Sequence, residues 1–282
     1  MLYSRRSSNP TGPTLTKLPH VGCVSKLIVR ARNCFRAACR KSRHSAPKLT
    51  LLLKARSILS AIVITTTQSE HIRTCATLQR ICYPTLAEVE QLTQDHFACH
   101  IEKFPAGQLV AIDSRSGEVV GSTSGFLTSV DFEHFKHHTF IEATDGGWLG
   151  NHSPHGEYFY GIDMCVHPDH RGRGIARLLH DARKTLCHTF NLTGQVIGGM
   201  IPGFASYKHV LTAEEYVRYV ASGLLFDSTL TTQLRNGFEL RGMLKNYLND
   251  PPTDGWSTLL EWRNPDHAEL RVPVRRTEPI RN

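Results

Sequence analysis

The chain has 282 residues, of which 40% are hydrophobic and 21% charged, so it can bury a sizeable core and has the composition of an ordinary globular protein. Its formal charge of +8 is uneven: residues 1–69 hold 13 of the 33 Lys/Arg and no acid, while from Glu70 onward 20 Lys/Arg face 25 acids, a formal −5. A nucleic-acid reading of the basicity is thereby confined to the N-terminal stretch, and no apolar run reaches the ~18 residues a membrane-spanning helix needs.

Residues 1–57 are rich in Arg, Ser and Lys and interrupted by Pro10, Pro13, Pro19 and Pro47. They read as a basic extension outside the fold: a disordered arm, an organelle transit peptide, or an upstream extension of the reading frame. The expected domain runs from 58 to 272, with 273–282 as a tail. The eight cysteines, at 23, 34, 39, 75, 82, 99, 165 and 187, never form C-x-x-C, which argues against a zinc ribbon and fits a reducing compartment. The N-terminus lacks the compact apolar core and small-residue cleavage site of a secretory signal. A cytoplasmic protein is therefore expected, with organelle import by the basic stretch as the alternative for a eukaryotic source.

In chain order, the β-branched run Ile58–Thr66 predicts a first strand. Ser69–Cys82 and Thr85–Lys103 have helical spacing, the second with Leu86, Val89, Leu92 and Phe97 on one face; Pro84 separates them and Pro105 ends the pair. Gln108–Asp113 and Glu118–Val130 predict a hairpin joined by Ser114-Arg115-Ser116-Gly117. Residues 131–156 read as irregular. Glu157–Val166 is a strand, Gly172–Phe190 an amphipathic helix and Gln195–Ile201 a strand. Thr212-Ala213-Glu214-Glu215 is a capping box opening a helix that Gly223 closes. A short helix at Leu230–Arg235 precedes two strands, Phe238–Tyr247 and Ser257–Trp262. This order predicts an α/β (α+β) domain on a single mixed sheet.

The segment that carries chemistry joins the strand ending at Val166 to the helix after it, through Arg171-Gly172-Arg173-Gly174-Ile175-Ala176. The first turn of a helix leaves N–H groups without partners, and the helix dipole adds partial positive charge there. Glycines at 172 and 174 let backbone approach a bulky anion, and Arg171 and Arg173 add charge, so the segment reads as a diphosphate cradle. A plain tight connection is the alternative. A dinucleotide fingerprint would need a third Gly where Arg177 stands and an acid on the next strand, and no G-x-x-x-x-G-K-[ST] run exists, which excludes NAD and ATP motifs.

Arg171-x-x-Gly174-x-Ala176 resembles the acyl-CoA-binding motif [QR]-x-x-G-x-[GA] of the GNAT N-acetyltransferases, and Met164-Cys165-Val166-His167-Pro168 resembles the end of that family's fourth strand. Tyr160–Pro168, Gly199–Gly203, Gln233–Phe238 and Leu260–Pro265 are similar to the GNAT half of bacterial proteins in which it is fused to a carbon–nitrogen hydrolase. The resemblance implies a GNAT-like sheet, mixed and mostly antiparallel, flanked by helices. It implies acetyl-CoA as cosubstrate and an acetyl group passed to a primary amine by direct attack, with no metal. The implied partner is an amine-bearing small molecule or protein, with a homodimer left open.

The resemblance further implies that backbone groups around Met164, Cys165 and Val166 pair with the pantetheine arm, and that amides of Arg171, Gly172, Arg173, Gly174, Ile175 and Ala176 hold the pyrophosphate. Asp163 and Glu157 are the candidate bases; they share a face of the strand if no bulge intervenes, and Asp163 reads equally as a structural hydrogen-bonding group. Where many members of the family carry a Tyr four residues before the Gly of x-G-F, this chain has Gln233, which donates a hydrogen bond but supplies no proton. Tyr207, Tyr216 and Tyr219 of the inserted stretch 202–227 are the alternatives. Cys165 lacks an adjacent base and reads as a small buried hydrophobe. His134, His137, His138, His152 and His155 are too loosely spaced for a zinc site. A non-catalytic acyl-CoA-binding module is the rival reading.

Overall fold

The computed structural model describes residues 61–133 and 137–268. The basic extension 1–57, the tail 273–282 and His134 lie outside the described residues. Seven strands form one sheet in the order β1-β2-β3-β4-β5-β7-β6. They are β1 (Ile62–Thr66), β2 (Leu109–Asp113), β3 (Val119–Thr128), β4 (Tyr158–Val166), β5 (Gly194–Met200), β6 (Glu239–Lys245) and β7 (Trp256–Arg263). Every neighbouring pair is antiparallel except β4 and β5. The helices are α1 (Ile72–Cys82), α2 (Gln94–Lys103), α3 (Phe140–Thr144), α4 (Ile175–Thr189), α5 (Ala213–Ala221) and α6 (Leu230–Arg235). The expected mixed, mostly antiparallel sheet flanked by helices is what forms.

Both faces of the sheet are covered, which is why its central strands are apolar at consecutive positions. On one face Cys75 of α1 and Phe97 of α2 pack over Phe126, Tyr160, Val196 and Leu259. On the other, Leu186 and Cys187 of α4, Val217 of α5 and Leu230 of α6 cover Phe159, Ile197 and Leu260. Val196 and Ile197, like Leu259 and Leu260, thus serve opposite faces, as the pleat dictates.

Local departures from the sequence expectation have local causes. The stretch 85–103 is not one helix. A single 3₁₀ turn, Glu88–Glu90, is followed by a new start at Thr93, whose hydroxyl accepts from the His96 amide while His96 Nδ1 takes the Thr93 amide at 3.0 Å. Val89 is 70% exposed, so the apolar spacing that suggested one helix does not face one core. Within 131–156 a second box, Thr139 with Glu142, starts α3, and Asp145 ends it in the left-handed region. Helix α4 begins at Ile175 rather than Gly172, because Gly172 and Gly174 hold φ of +72° and +80°. Phe190 lies beyond its end and is exposed, while His180 and Arg183 are buried in its place. Helix α5 opens on the Thr212–Glu215 box, as the sequence predicts.

Gly125 of β3 shows how tightly the central strands approach. A Cβ there would lie 2.3 Å from the Phe159 ring and 2.5 Å from the Tyr160 carbonyl oxygen. Backbone cannot yield as a flexible side chain does, so Gly125→Ala is expected to cost about 2 kcal/mol or more, read as a lower urea midpoint.

Two buried histidines make folding sensitive to acid. Burial holds His100, whose Nε2 donates to the Gly147 carbonyl at 2.6 Å, down to about 4, and holds His180 down to about 3, against 6.5 for a free imidazole. As pH falls below 6.5 the unfolded chain takes up protons that the folded chain refuses, so stability contributed at neutral pH is lost between 6.5 and about 4. The urea midpoint should drop on going from about pH 7 to about pH 5, and the double variant His100→Gln/His180→Gln should flatten that slope.

Candidate active site

The site is built around a break in the sheet. Between β3 and β4 the register runs Ser124 opposite Asp163 and then Gly125 opposite Gly161, so Ile162 is an extra residue on β4, a β-bulge. Beside the bulge, β4 and β5 pair over four residues, Tyr158–Gly161 with Gly194–Ile197. Past that point β5 continues along β7 as far as Met200, opposite Ser257, and β4 runs on to Val166 beside β3. The two central strands therefore part, and among the described residues β4 from Ile162 to Val166 has no strand neighbour on that side.

The direction of the backbone groups follows from one bond. The His167 amide donates to the Val120 carbonyl at 3.0 Å, so residues 165 and 167 turn their N–H and C=O groups toward β3, and the regular ladder ends at Asp163, where the Ser124 amide goes to the carboxyl instead. Met164 and Val166 turn theirs toward the gap. There the Tyr83 hydroxyl donates to the Met164 carbonyl at 3.0 Å and accepts from its amide at 3.3 Å. The Val166 carbonyl accepts from Arg171 Nε at 3.1 Å and from the Cys82 thiol at 3.4 Å. Cys165 differs from its neighbours: its amide faces β3 and its buried thiol lies 3.9 Å from the Asp163 carboxylate.

At the far end of β4 the glycine-rich turn leads into α4. The first intrahelical bond is Leu178 N–H to the Gly174 carbonyl at 3.1 Å, so the amides of Ile175, Ala176 and Arg177 stand outside the helical ladder. Among the described residues no side chain caps this end. A Cβ on Gly172 would meet nothing within 4 Å, so the turn is open on its outer side. Ile175 sends its side chain into the core against Leu109, Ala111 and Val120, leaving its amide for the turn. The two arginines divide their roles. Arg173 pairs with Asp113 at 3.1 Å, and the Arg115 amide followed by Arg173 holds the Asp113 carboxyl below its ordinary range. Arg171 remains exposed beside β4, its Nη2 3.8 Å from the Cys82 sulfur. The Cys165 thiol and then Arg171 pull that sulfur below the ordinary thiol range, against the effect of burial.

The bulge separates the two acidic candidates. Asp163 is buried on the α1 face, its Oδ1 accepting from the Ser124 amide at 2.6 Å. Burial raises its carboxyl above the ordinary range against the opposing pull of Arg183. Glu157 is exposed just before β4, at the end remote from the glycine turn, with its carbonyl taken by the Thr193 amide. The two do not share a face, because the extra residue at 162 reverses the alternation. Gln233 on α6 lies against Gly199 in the part of β5 that has left β4; a Cβ on Gly199 would sit 2.7 Å from its Oε1. Among the described residues that oxygen has no hydrogen-bond partner. Of the inserted tyrosines, Tyr216 is buried and donates to Asp227 at 2.9 Å, and Tyr207 packs on its ring. The histidines scatter. His138 bonds the Tyr160 hydroxyl, His152 Nδ1 accepts the Leu127 amide, and His137 and His155 are exposed.

Two residues escaped the sequence reading. Tyr83 gave no signal beyond its place between a helix and Pro84. Arg183 did give one, a charge four residues after Leu179 on the buried stripe of α4. It is fully buried, and its Nη2 donates to the Ser124 carbonyl at 3.0 Å and to the Asp163 carbonyl, the groups that the bulge turns out of the ladder. Gly161 makes room for it, since a Cβ there would lie 2.3 Å from Nη1. Burial lowers Arg183 to about 10, which leaves it charged at neutral pH. Arg183→Leu should cost about 3–5 kcal/mol by stranding the Ser124 carbonyl, leaving the Asp163 carbonyl with the Thr123 hydroxyl alone and removing the charge beside the Asp163 carboxyl, and Arg183→Lys should recover part of that loss, both read from urea unfolding.

The sheet thus opens between its two parallel central strands, beside an uncapped helix start. The Acetyltransferase (GNAT) family matches residues 72–194. The chain is 34% identical over 206 residues to the Uncharacterized N-acetyltransferase YkwB of Bacillus subtilis (strain 168), covering 72% of this chain and 89% of that protein. It is 38% identical over 207 residues to the Probable hydrolase YhcX of the same strain, covering 73% of this chain but only 39% of that longer relative. Among solved structures, a GphF GNAT-like decarboxylase in complex with isobutyryl-CoA shares the fold, with a TM-score of 0.60 at 17% identity over 72% of this chain and 99% of that one. The loading GNATL domain of CurA from Lyngbya majuscula gives the same score and identity over 72% and 98%. The chain belongs to the GNAT acetyltransferase family.

Proposed function

We propose that this chain transfers an acetyl group from acetyl-CoA to a primary amine on a small molecule or a protein, by direct attack of the amine on the thioester. The observation that carries the reading is the parting of β4 from β5 next to the uncapped start of α4. The residues fit the cosubstrate. The Arg171 amide is bonded to the Pro168 carbonyl, so the amides from Gly172 through Ala176, with the partial positive charge of the helix end, suit a pyrophosphate, and the Arg171 side chain adds a full charge. Met164 and Val166 offer N–H and C=O groups to an extended amide-bearing arm, as a strand edge does.

In this reading the protein positions amine and carbonyl, and N–H groups on the open side of β4 stabilise the oxyanion as the C–N bond forms. The C–S bond then breaks, and CoA leaves as a thiolate that takes up the second proton shed by the nitrogen as it becomes an amide. Gln233, over the open half of β5, supplies a hydrogen bond to the leaving sulfur. Asp163 is committed to Ser124 and Arg183, and Glu157 stands at the wrong end of β4, so the ammonium proton leaves to water in the gap. That Gln233 stands where a proton donor is expected, and that Asp163 is locked into the sheet, favours one second reading, a module that binds acyl-CoA without turning it over.

Calorimetry of the full chain with acetyl-CoA tests the cradle. Binding is expected, and Gly174→Trp should weaken it more than tenfold, with a thermal melt confirming that the variant folds. No binding by the unaltered chain would sink both readings. Thiol release across a panel of primary amines separates them: release with any one amine supports the enzyme, and binding without release supports the module.

A further inference from the structure

The exposed edge of β4 is already engaged by the end of α1. Tyr83 is the residue that ends that helix, with φ −125° and ψ +60° and its own amide on Gln79. Its hydroxyl both accepts from the amide and donates to the carbonyl of one residue, Met164. An amide of an added strand engages an edge residue through the same pair of bonds. Cys82, the last residue of α1, adds its thiol to the Val166 carbonyl, and Arg171 bonds both that carbonyl and the sulfur. Burial, and then the neighbouring Cys165 and Asp163, push the Tyr83 hydroxyl well above its ordinary range, so it keeps its proton for the donated bond at any physiological pH.

We infer that Cys82 and Tyr83 belong to the acyl-CoA site, standing in on Met164 and Val166 for the pantetheine arm and yielding those groups when it binds. The inference rests on the acetyl-CoA reading above. Its logic is competition for a fixed set of donors and acceptors. The Met164 amide has one proton to give, so a pantetheine carbonyl and the Tyr83 oxygen exclude each other there. Edge groups satisfied in this way are shielded from pairing with other strands, and the arm must offset the bonds it displaces.

Calorimetry with CoA on the full chain tests it. Tyr83→Phe keeps the ring and removes the hydroxyl, so it should bind CoA about three- to tenfold more tightly, the equivalent of one net hydrogen bond. Equal or weaker binding by a folded Tyr83→Phe, with the unaltered chain binding normally, overturns this inference and leaves the acetyl-CoA reading standing. Absence of binding by the unaltered chain overturns both. Should Tyr83→Phe fail to fold, amide hydrogen exchange on the unaltered chain decides: saturating CoA should speed exchange across residues 79–84, and slower or unchanged exchange overturns the inference.

Discussion

A strand that bulges turns carbonyl groups away from the partner that should receive them, and in this fold a buried guanidinium meets them, with the Thr123 hydroxyl also on the Asp163 carbonyl at 2.7 Å. Arg183 reaches across from α4 to the Ser124 and Asp163 carbonyls, and the Asp163 carboxyl nearby opposes the effect of burial on its charge. The rest of the site depends on that contact. Without the bulge at Ile162, β4 would stay in step with β3, and nothing would turn its outer edge away from β5 at that point. The absence of a side chain at Gly161 is part of the same device, because the guanidinium lies where a Cβ would be. Burying a charge is costly, and hydrogen bonds to it offset that cost only in part, so the arrangement specifies geometry more than it strengthens the fold.

The two arginines of the glycine-rich turn illustrate how a sequence motif divides once folded. In the sequence they are equivalent charges flanking Gly172. In the structure Arg173 is tied to Asp113 at the end of β2, fixing the turn to the sheet, and Arg171 lies along the open side of β4. Charge close to a helix start is useful to an anion only where it is not already neutralised. The proposed cradle would therefore rest on backbone amides and Arg171, with Arg173 tying the turn to the sheet.

Much of the fold was legible because hydrophobic period and capping chemistry are local. The Thr212–Glu215 box, the hairpin at Ser114–Gly117 and the strand leading to Val166 all formed where the pattern put them. The stretch 85–103 misled because apolar spacing does not say whether a chain is continuous, and the competing signal was the capping box at Thr93. The site was legible in part. The glycines at 172 and 174 do adopt the positive φ that the turn needs. What the sequence could not show was the bulge, since an extra residue on a strand is defined only against its neighbour. With it went the assumption that Glu157 and Asp163 share a face. Tyr83 was equally hidden: its role depends on which β4 residues face outward, a matter of long-range register.

The short parallel pairing of β4 with β5 has one more consequence. Two strands joined over four residues and then diverging form a wedge whose apex lies at Gly161 and Ile197. A wedge measures taper. A molecule lying along β4 meets close walls near the apex, where Tyr247 covers Gly198 and Gln233 covers Gly199, and wide ones toward the glycine-rich turn. Its slender end is confined where bonds would change, and its bulky end is held where there is space. For a ligand bound as proposed, the angle at which two strands separate would work as a gauge of thickness, set by backbone rather than by any single side chain.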